Sequence, residues 1–248
     1  MAILRVENLH KDFGGLRVLT GVDFEVGPRE RLGIIGPNGA GKTTLFNIIS
    51  GKFPPTGGQV SFKDQAITTL PPHARARLGM ARSFQITNLF QKLGALDNVM
   101  AGVRSRLGLR HHLLREPLRD RRLVAECEAI LERVNLLEFR DTPVQELAYG
   151  QQRALELGVT LSLEPELILL DEPTAGMSRQ ETEEATGMIK RVTEAIACVI
   201  IEHDMNVVFS LADRIAVLHY GVILACGAPD DIRCDQRVKD AYLGEEEP

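Results

Sequence analysis

The sequence of 248 residues is long enough to bury a sizeable core, and its length predicts one domain with an insertion. Hydrophobic residues make up 44% of the chain and charged residues 25%, which excludes a disordered or fibrous protein. The formal net charge of −5 argues against nucleic acid as a partner, and no apolar run approaches the roughly 20 residues that span a bilayer. Because the amino terminus also lacks the layout of a signal peptide, we expect a cytoplasmic protein.

Short strands and helices alternate in the first third of the chain. Alternating polarity predicts antiparallel strands at Ile3 to Val6 and Val18 to Val26, with a turn at Gly14-Gly15. A short buried strand is expected at Arg31 to Ile35, followed by a glycine-rich loop and a helix from Thr44 to Ser50. The elements that follow are strands at Gly58 to Phe62 and Gln65 to Ile67, and a helix from Pro71-Pro72 towards Leu78.

The remaining sequence predicts a helical insertion within a parallel sheet. From about Leu89 to Glu164, apolar residues recur at three- and four-residue spacing, as in amphipathic helices. Strands separated by helical stretches return at Leu167 to Leu170, Ala197 to Ile201 and Ile215 to Leu218. The predicted fold class is therefore α/β, with an antiparallel β subdomain and an inserted α-helical subdomain.

The loop after the third strand has the composition of a phosphate-binding loop. Its sequence is Gly36-Pro37-Asn38-Gly39-Ala40-Gly41-Lys42-Thr43, with Thr44 next. The glycines allow backbone amides to point at phosphate oxygens, Lys42 supplies a positive charge, and Thr43 can offer its hydroxyl to Mg²⁺. The bare pattern arises by chance in about one chain of this length in a hundred. Its position between a buried strand and a helix predicts ATP binding.

Two carboxylates follow the strand that begins at Leu167. Asp171 and Glu172 lie where the strand ends, at the edge of a parallel sheet that binds ligands. Asp171 is expected to hold Mg²⁺, directly or through water, and Glu172 to polarise the attacking water as general base. Such an acidic pair can alternatively cap a helix. Because the acidic pair occurs together with a phosphate loop, the interpretation as a site of ATP hydrolysis is favoured.

The motifs and their order resemble the ATPase cassettes of ABC transporters, over essentially the whole chain. The resemblance implies that Gln85, in Arg82-Ser83-Phe84-Gln85, links the magnesium ion and the water to the transporter. It also implies that His203 contacts the γ-phosphate and helps to position the water, and that Phe13 stacks on adenine. Taken alone, these two residues could be a structural histidine and a core phenylalanine. The family pattern makes the chain one nucleotide-binding domain, with a catalytic core (1–85 and 166–248) and a helical subdomain (about 86–165).

A second family motif implies a dimer. The segment Leu147-Ala148-Tyr149-Gly150-Gln151 resembles the signature motif, which clamps the γ-phosphate of ATP held by a partner cassette. Gly150 permits close approach of the backbone, and the following helix presents its amino end to an anion. A simple turn before a helix is the alternative interpretation.

Two residues depart from the family pattern, Ala148 in place of serine and Ser178 in place of aspartate. Ala148 cannot donate a hydroxyl hydrogen bond, which weakens closure at the site that this signature completes. That site belongs to the partner, so the two sites of a dimer could differ in strength. The phosphate site of this chain is expected to hydrolyse ATP, because it retains Lys42, Gln85, Asp171, Glu172 and His203.

Several segments resemble the branched-chain and hydrophobic amino acid uptake group of the family. They are Ala81 to Gln85, the helical insertion, Tyr149 to Arg153, Ile201 to Met205 and Ala241 to Glu245. The resemblance implies a second, non-identical cassette, two transmembrane permease subunits and, indirectly, a periplasmic solute-binding protein, with this chain at the cytoplasmic face of the inner membrane. The lipopolysaccharide-export cassette is also similar, at residues 70–77 and 242–244, but lacks Tyr149-Gly150-Gln151 and the long insertion.

Two other function classes fit less well. A soluble ABC ATPase acting on DNA or ribosomes would carry a coiled-coil or zinc-bearing insertion, or tandem cassettes, and a small-molecule kinase would not need Gln85, the signature and His203. The transported solute stays open among branched-chain and other amino acids, amides, urea and small aromatic acids. The basic run from Arg104 to Arg122 could contact lipid headgroups or a partner, although a solvated helical hairpin is favoured.

Overall fold

The chain folds into two β-sheets with helices packed around them. A computed structural model describes residues 1–83, 89–109 and 120–243. Its strands are, in chain order, β1 (Leu4–Phe13), β2 (Leu16–Val26), β3 (Arg31–Ile35), β4 (Gly57–Phe62), β5 (Gln65–Ala66), β6 (Met80–Arg82), β7 (Leu167–Asp171), β8 (Ala197–Ile201), β9 (Arg214–His219) and β10 (Val222–Gly227). Its helices are α1 (Lys42–Ile49), α2 (Pro72–Arg77), α3 (Ala95–Arg106), α4 (Arg121–Arg133), α5 (Tyr149–Leu161), α6 (Arg179–Val192), α7 (Met205–Leu211), α8 (Pro229–Cys234) and α9 (Gln236–Leu243), with 3₁₀ turns at Leu137–Phe139 and Val144–Glu146.

The smaller sheet is antiparallel and has the order β2-β1-β4-β5. Strands β1 and β2 form a hairpin, in which Leu4 pairs with Val26 and Phe13 with Leu16. The turn between them is made by Gly14 and Gly15, whose φ angles of 55° and 100° suit a two-residue hairpin. The predicted amino-terminal strand pair is confirmed, and so is the second pair, β4 and β5.

The larger sheet has the order β10-β9-β3-β8-β7-β6. Strands β9, β3, β8, β7 and β6 run parallel to one another, and only β10 at the edge is antiparallel. The predicted strands β3, β7, β8 and β9 are confirmed, whereas β6 and β10 were missed. Because parallel strands end at the same edge, the segments that follow β3, β7 and β8 lie together.

Apolar side chains cover both faces of the larger sheet. In β7, Leu167 and Leu169 pack with α1 and the smaller sheet, while Ile168 and Leu170 pack with α3 to α6. All five residues of β7 are buried, which explains why this strand has no polar alternation. With both faces covered, ligands of such a sheet bind at the carboxyl ends of its strands.

The predicted helical insertion corresponds to α3, α4 and α5, which pack against one another and against the sheet. Helix α4 buries Cys127, Ile130 and Leu131 on one face, as its spacing predicts. The division into a core and a helical subdomain stays a prediction. In the part of the chain that the structure describes, none of the helices combines the length and apolar character needed to cross a membrane.

Candidate nucleotide-binding site

The loop between β3 and α1 is folded so tightly that two of its glycines cannot be replaced without strain. Gly36 has a φ of 154°, and a Cβ there would lie 2.0 Å from the backbone oxygen of Leu218 in β9. Gly41 has a φ of 106°, and a Cβ there would lie 2.8 Å from Leu19 Cδ2. Contacts below 3.0 Å force the structure to shift. The predicted need for glycine is therefore confirmed at both ends of the loop, while Asn38 and Gly39 are exposed at its tip.

Lys42 is held under this loop. It is the first residue of α1, is 6% exposed, and donates hydrogen bonds to the carbonyl oxygens of Gly36 and Pro37, the latter at 2.9 Å. The Ala40 amide also donates to the Pro37 carbonyl, at 3.3 Å. The positive charge is thus fixed inside the curve of the loop, where phosphate bound by the loop would require it.

The amino end of α1 is capped by no side chain. Its N-cap is Gly41, and its first turn carries no acidic residue. Thr43 in this turn is exposed and Thr44 is half-buried. The first amides of a helix have no partners within it and carry the positive end of the helix dipole. Their arrangement suits an anion.

Asp171 ends β7 and is 2% exposed. Arg82, at the end of the neighbouring strand β6, donates from Nη2 to Asp171 Oδ2 at 2.6 Å. Its Nη1 donates to Asn47 Oδ1 at 2.8 Å and to Ser50 Oγ at 3.0 Å. Arg82 therefore supplies the counter-charge that a buried carboxylate requires and ties this strand end to α1.

Glu172 and His203 meet beyond the ends of β7 and β8. The distance between Glu172 Oε1 and His203 Nε2 is 2.9 Å, and both side chains reach solvent, with exposed fractions of 21% and 54%. Glu172 has a φ of 48°, and its amide donates to the Ile201 carbonyl at 2.9 Å. A positive φ at a glutamate costs energy, and such strain is often stored at functional sites. The two predicted side chains for water activation are brought together.

Phe13 lies at the end of β1 and is 43% exposed. The ring makes an edge-to-face contact with Phe53 at 6.0 Å between centroids, and Lys11 Nζ lies 4.8 Å from its centroid. A core phenylalanine would be buried, so this alternative does not hold. An exposed aromatic side chain can stack on a planar ligand.

The signature segment opens α5 and lies against the loop that follows Glu172. Ala148 is the N-cap, and its amide donates to Gln151 Oε1 at 2.9 Å. Tyr149 donates to the Ala175 carbonyl at 3.0 Å. A Cβ at Gly150 would lie 3.5 Å from Glu181 Oε1, which is ordinary contact. Hence packing against the described residues of this chain does not require glycine at position 150.

Comparison with known proteins decides the family. The family model described as ABC transporter matches residues 19–175, and a second, described as Branched-chain amino acid ATP-binding cassette transporter, matches residues 222–248. This chain belongs to the ABC transporter family. It is an ATP-binding cassette, the ATPase subunit of a transporter, as its sequence predicted.

The similar proteins include other ABC cassettes over their full length. The chain is 40% identical to the high-affinity branched-chain amino acid transport ATP-binding protein LivG of Escherichia coli K12, over 98% of both chains. It is 34% identical to the lipopolysaccharide export system ATP-binding protein LptB of E. coli K12, over 99% of both. A solved structure of MJ1267 in its ADP conformation, also a cassette of an ABC transporter, matches with a TM-score of 0.86, 30% identity, and coverage of 99% of this chain and 100% of that one.

Some predicted features of the cassette fall outside the described residues. They include Gln85 and residues 110–119 of the basic run. The role of Gln85 in linking magnesium and water to the transporter, and the interpretation of the basic run as a solvated hairpin, therefore stay predictions. Where the run is described, Arg106 forms ion pairs with Glu126 and Glu164. Ser178, the second departure from the family pattern, is the N-cap of α6 and accepts from the Glu181 amide at 3.4 Å.

Two charged residues of the cassette were not predicted from the sequence, the half-buried Arg82 and the buried Glu202. Glu202 is 5% exposed, and its Oε1 accepts from the amide and the hydroxyl of Thr174 at 2.8 and 2.7 Å. Its Oε2 accepts from the His203 amide at 3.2 Å. Glu202 thus joins the end of β8 to the loop after Glu172. A charged residue directly after a buried strand was the available signal, and it applies to Glu202 as it did to Asp171.

We expect Glu202→Ala to lower kcat for ATP hydrolysis about tenfold to a hundredfold while changing KM for ATP little, because it loosens the strand ends and leaves the phosphate loop intact. Steady-state kinetics measure both values, with exposed Glu132→Ala in α4 as the control. Thr174→Val, which removes only the hydroxyl bond, should show a smaller effect in the same direction. An unchanged kcat in both variants would show that Glu202 does not position the site.

Proposed function

We propose that this cassette drives an importer for branched-chain or chemically related amino acids. The observation that carries the proposal is the higher identity to LivG than to LptB, 40% against 34%, at nearly complete coverage of both. The family model matched by residues 222–248 supports the same solute class. Lipopolysaccharide export is the alternative that the test below must exclude.

The residues at the carboxyl edge fit a magnesium ion bound with ATP. Thr43 is exposed, and Arg82 engages one oxygen of Asp171, Oδ2. No cluster of three or more His, Cys, Asp or Glu side chains that could bind a metal occurs within the described ranges. This fits Mg²⁺, which takes few protein ligands and several phosphate or water oxygens. Bound there, the ion would offset the negative charge of the phosphates.

The chain's own groups divide the remaining work of ATP hydrolysis. Lys42 and the loop amides hold the phosphates, and Phe13 holds the base. Glu172 accepts a proton from the attacking water, while His203 orients Glu172 and the water through the contact at 2.9 Å. Glu202 has both carboxylate oxygens engaged in hydrogen bonds, so Glu172 is the better placed base.

The signature segment supports a dimer of cassettes. Its helix end is accessible, and Tyr149 is 42% exposed. In the proposed assembly this end completes the ATP site of a second, non-identical cassette, and the pair acts on two permease subunits at the cytoplasmic face of the inner membrane. A periplasmic binding protein would deliver the solute. The absence of a hydroxyl at Ala148 makes unequal sites possible in such a pair.

Uptake measurements test the proposal. In a strain that lacks this chain, uptake of labelled leucine, isoleucine and valine should fall and should be restored by the wild-type gene. The Glu172→Gln gene should not restore it. Normal uptake together with a defect in the outer membrane would favour lipopolysaccharide export. Recovery of the chain with ribosomes or DNA, and never with a permease, would exclude both transport functions.

We expect Phe13→Ala to weaken ATP binding by about 1–2 kcal/mol, roughly fivefold to thirtyfold, because stacking of an aromatic ring on a base is lost. Phe13→Tyr should bind as the wild type does. Titration with a fluorescent ATP analogue measures the affinity, and Leu16→Ala is a matched control, since Leu16 pairs with Phe13 in the hairpin and is 69% exposed. Equal affinities of the two alanine variants would argue against stacking.

A further inference from the structure

Tyr149 connects two functional segments of the chain through its hydroxyl group. It opens α5, and its Oη donates to the carbonyl oxygen of Ala175 at 3.0 Å. Ala175 lies in the loop 173–178, which joins Glu172 to α6. The ring also lies close to the backbone of this loop, because a Cβ at Gly176 would lie 3.5 Å from Tyr149 Cε1. The signature segment and the loop 173–178 are therefore in direct contact.

A buried ion pair orients this tyrosine. Arg153, one turn later in α5, donates to Tyr149 Oη from Nε at 3.1 Å and from Nη2 at 2.8 Å, and its guanidinium lies 5.2 Å from the ring centroid. Arg153 Nη1 donates to Glu156 Oε2 at 3.0 Å, and both side chains are about nine-tenths buried, at 11% and 10% exposure. Burying such a pair adds little stability, because desolvation offsets the attraction. Its effect here is to fix the direction of the tyrosine hydroxyl.

The other end of the contact is tied to the catalytic strand end. The Ala175 amide donates to the Glu172 carbonyl at 3.2 Å, and the Met177 amide donates to the Thr174 carbonyl at 3.2 Å. Glu202 accepts from the amide and the hydroxyl of Thr174. The position of the Ala175 carbonyl therefore depends on the position of the backbone of Glu172, the proposed general base.

We propose that the Tyr149 hydroxyl couples the two ATP sites of the cassette pair, by linking the loop after Glu172 to the amino end of α5. The inference rests on the proposed dimer, in which this end of α5 completes the partner's site. A change at Glu172 during hydrolysis moves the loop 173–178, and the hydrogen bond carries that movement to Tyr149 and α5. Tyr149 acts as a positioning residue and takes no part in the chemical step.

The test removes only the hydroxyl. In Tyr149→Phe the ring stays beside Gly176 and under the Arg153 guanidinium, while the hydroxyl's bond to the Ala175 carbonyl and the two bonds it accepts from Arg153 are lost. In the assembled transporter with its partner cassette and permeases, we expect the wild type to hydrolyse ATP cooperatively, with coupling of about fivefold or more between sites. The Hill coefficient of Tyr149→Phe should fall towards 1. Tyr220→Phe is the matched control, because Tyr220 is 82% exposed on the turn between β9 and β10.

A double-mutant cycle separates this link from general loosening of the structure. Arg153→Met should lower the Hill coefficient as Tyr149→Phe does, and the double variant should lower it no further, since both act through one hydrogen bond. A dimer that hydrolyses ATP with a Hill coefficient of 1, or with one that Tyr149→Phe leaves unchanged, overturns the link and leaves the proposed function intact. A chain that forms no cassette pair in the presence of ATP overturns both.

Discussion

Replacing Glu172 with glutamine is expected to lower ATP hydrolysis by about 10²–10⁴-fold, because an amide has the shape of the carboxylate but cannot accept a proton from water. The hydrogen bond from His203, at 2.9 Å in the wild type, can still form to the amide oxygen. The phosphate loop and Lys42 are untouched, so the affinity for ATP should stay within about twofold of the wild type. Release of phosphate and binding of a fluorescent ATP analogue measure the two quantities.

The control for this experiment is Glu183→Gln, which makes the same chemical change on the exposed face of α6. Glu183 forms a surface ion pair with Arg179, and such pairs contribute little. Hydrolysis at an undiminished rate in Glu172→Gln would remove Glu172 from the role of general base. Loss of ATP binding in the same variant would instead indicate that Glu172 holds the nucleotide.

The sequence was sufficient to predict which residues meet at the accessible edge of the sheet. Asp171 and Glu172 lie at the end of one buried strand and His203 lies just beyond the end of another, and the order of elements predicts that those strands are parallel. Once the strands are parallel, their carboxyl ends must share an edge with the phosphate loop. The convergence of these residues therefore follows from backbone arrangement and needs no knowledge of side-chain contacts.

The contacts that orient these residues could not be predicted in the same way. Arg82 reaches Asp171 across 89 positions, and Tyr149 reaches Ala175 across 26. Each depends on a rotamer and on the relative placement of two elements, which hydrophobic periodicity does not encode. Strand β6 has only three residues, too few to show any period, and without it the place of Arg82 in the sheet could not be inferred.

The contacts of Arg75, which stabilise the fold, could likewise not be predicted from the sequence. It lies in α2, is 2% exposed, and donates to four backbone carbonyls: Leu70 and Thr68 at 2.9 and 3.0 Å, and Ile48 and Ile49 at 2.7 Å each. The last two carbonyls belong to the final turns of α1, where a positive charge also meets the negative end of the helix dipole. Burial lowers the pKa of Arg75 to about 10, so it remains charged at neutral pH.

Gly51 makes room for this guanidinium. It follows α1 with a φ of 82°, and a Cβ there would lie 2.8 Å from Arg75 Nε and 2.9 Å from the Leu70 oxygen. A glycine is common directly after a helix, because it adopts this left-handed conformation at low cost. The structure adds a second reason, because the side chain that satisfies the last carbonyls of α1 passes over the glycine. Arg75 thus anchors the far end of the helix that begins at the phosphate loop.

We expect Arg75→Met to lower the free energy of unfolding by about 3–5 kcal/mol, since methionine fills similar volume but removes a donor from four carbonyls, two buried and two part-buried. For a chain of this size that corresponds to a fall in Tm of roughly 10 °C. Denaturation in urea measures the change, and Arg77→Met, an exposed arginine in the same helix, should cost less than about 0.5 kcal/mol. Arg75→Lys should lie between them, because one ammonium group cannot reach four carbonyls in the directions that a planar guanidinium can. If Arg75→Met were as stable as Arg77→Met, water would have to satisfy those carbonyls, and α1 would be held by its apolar face alone.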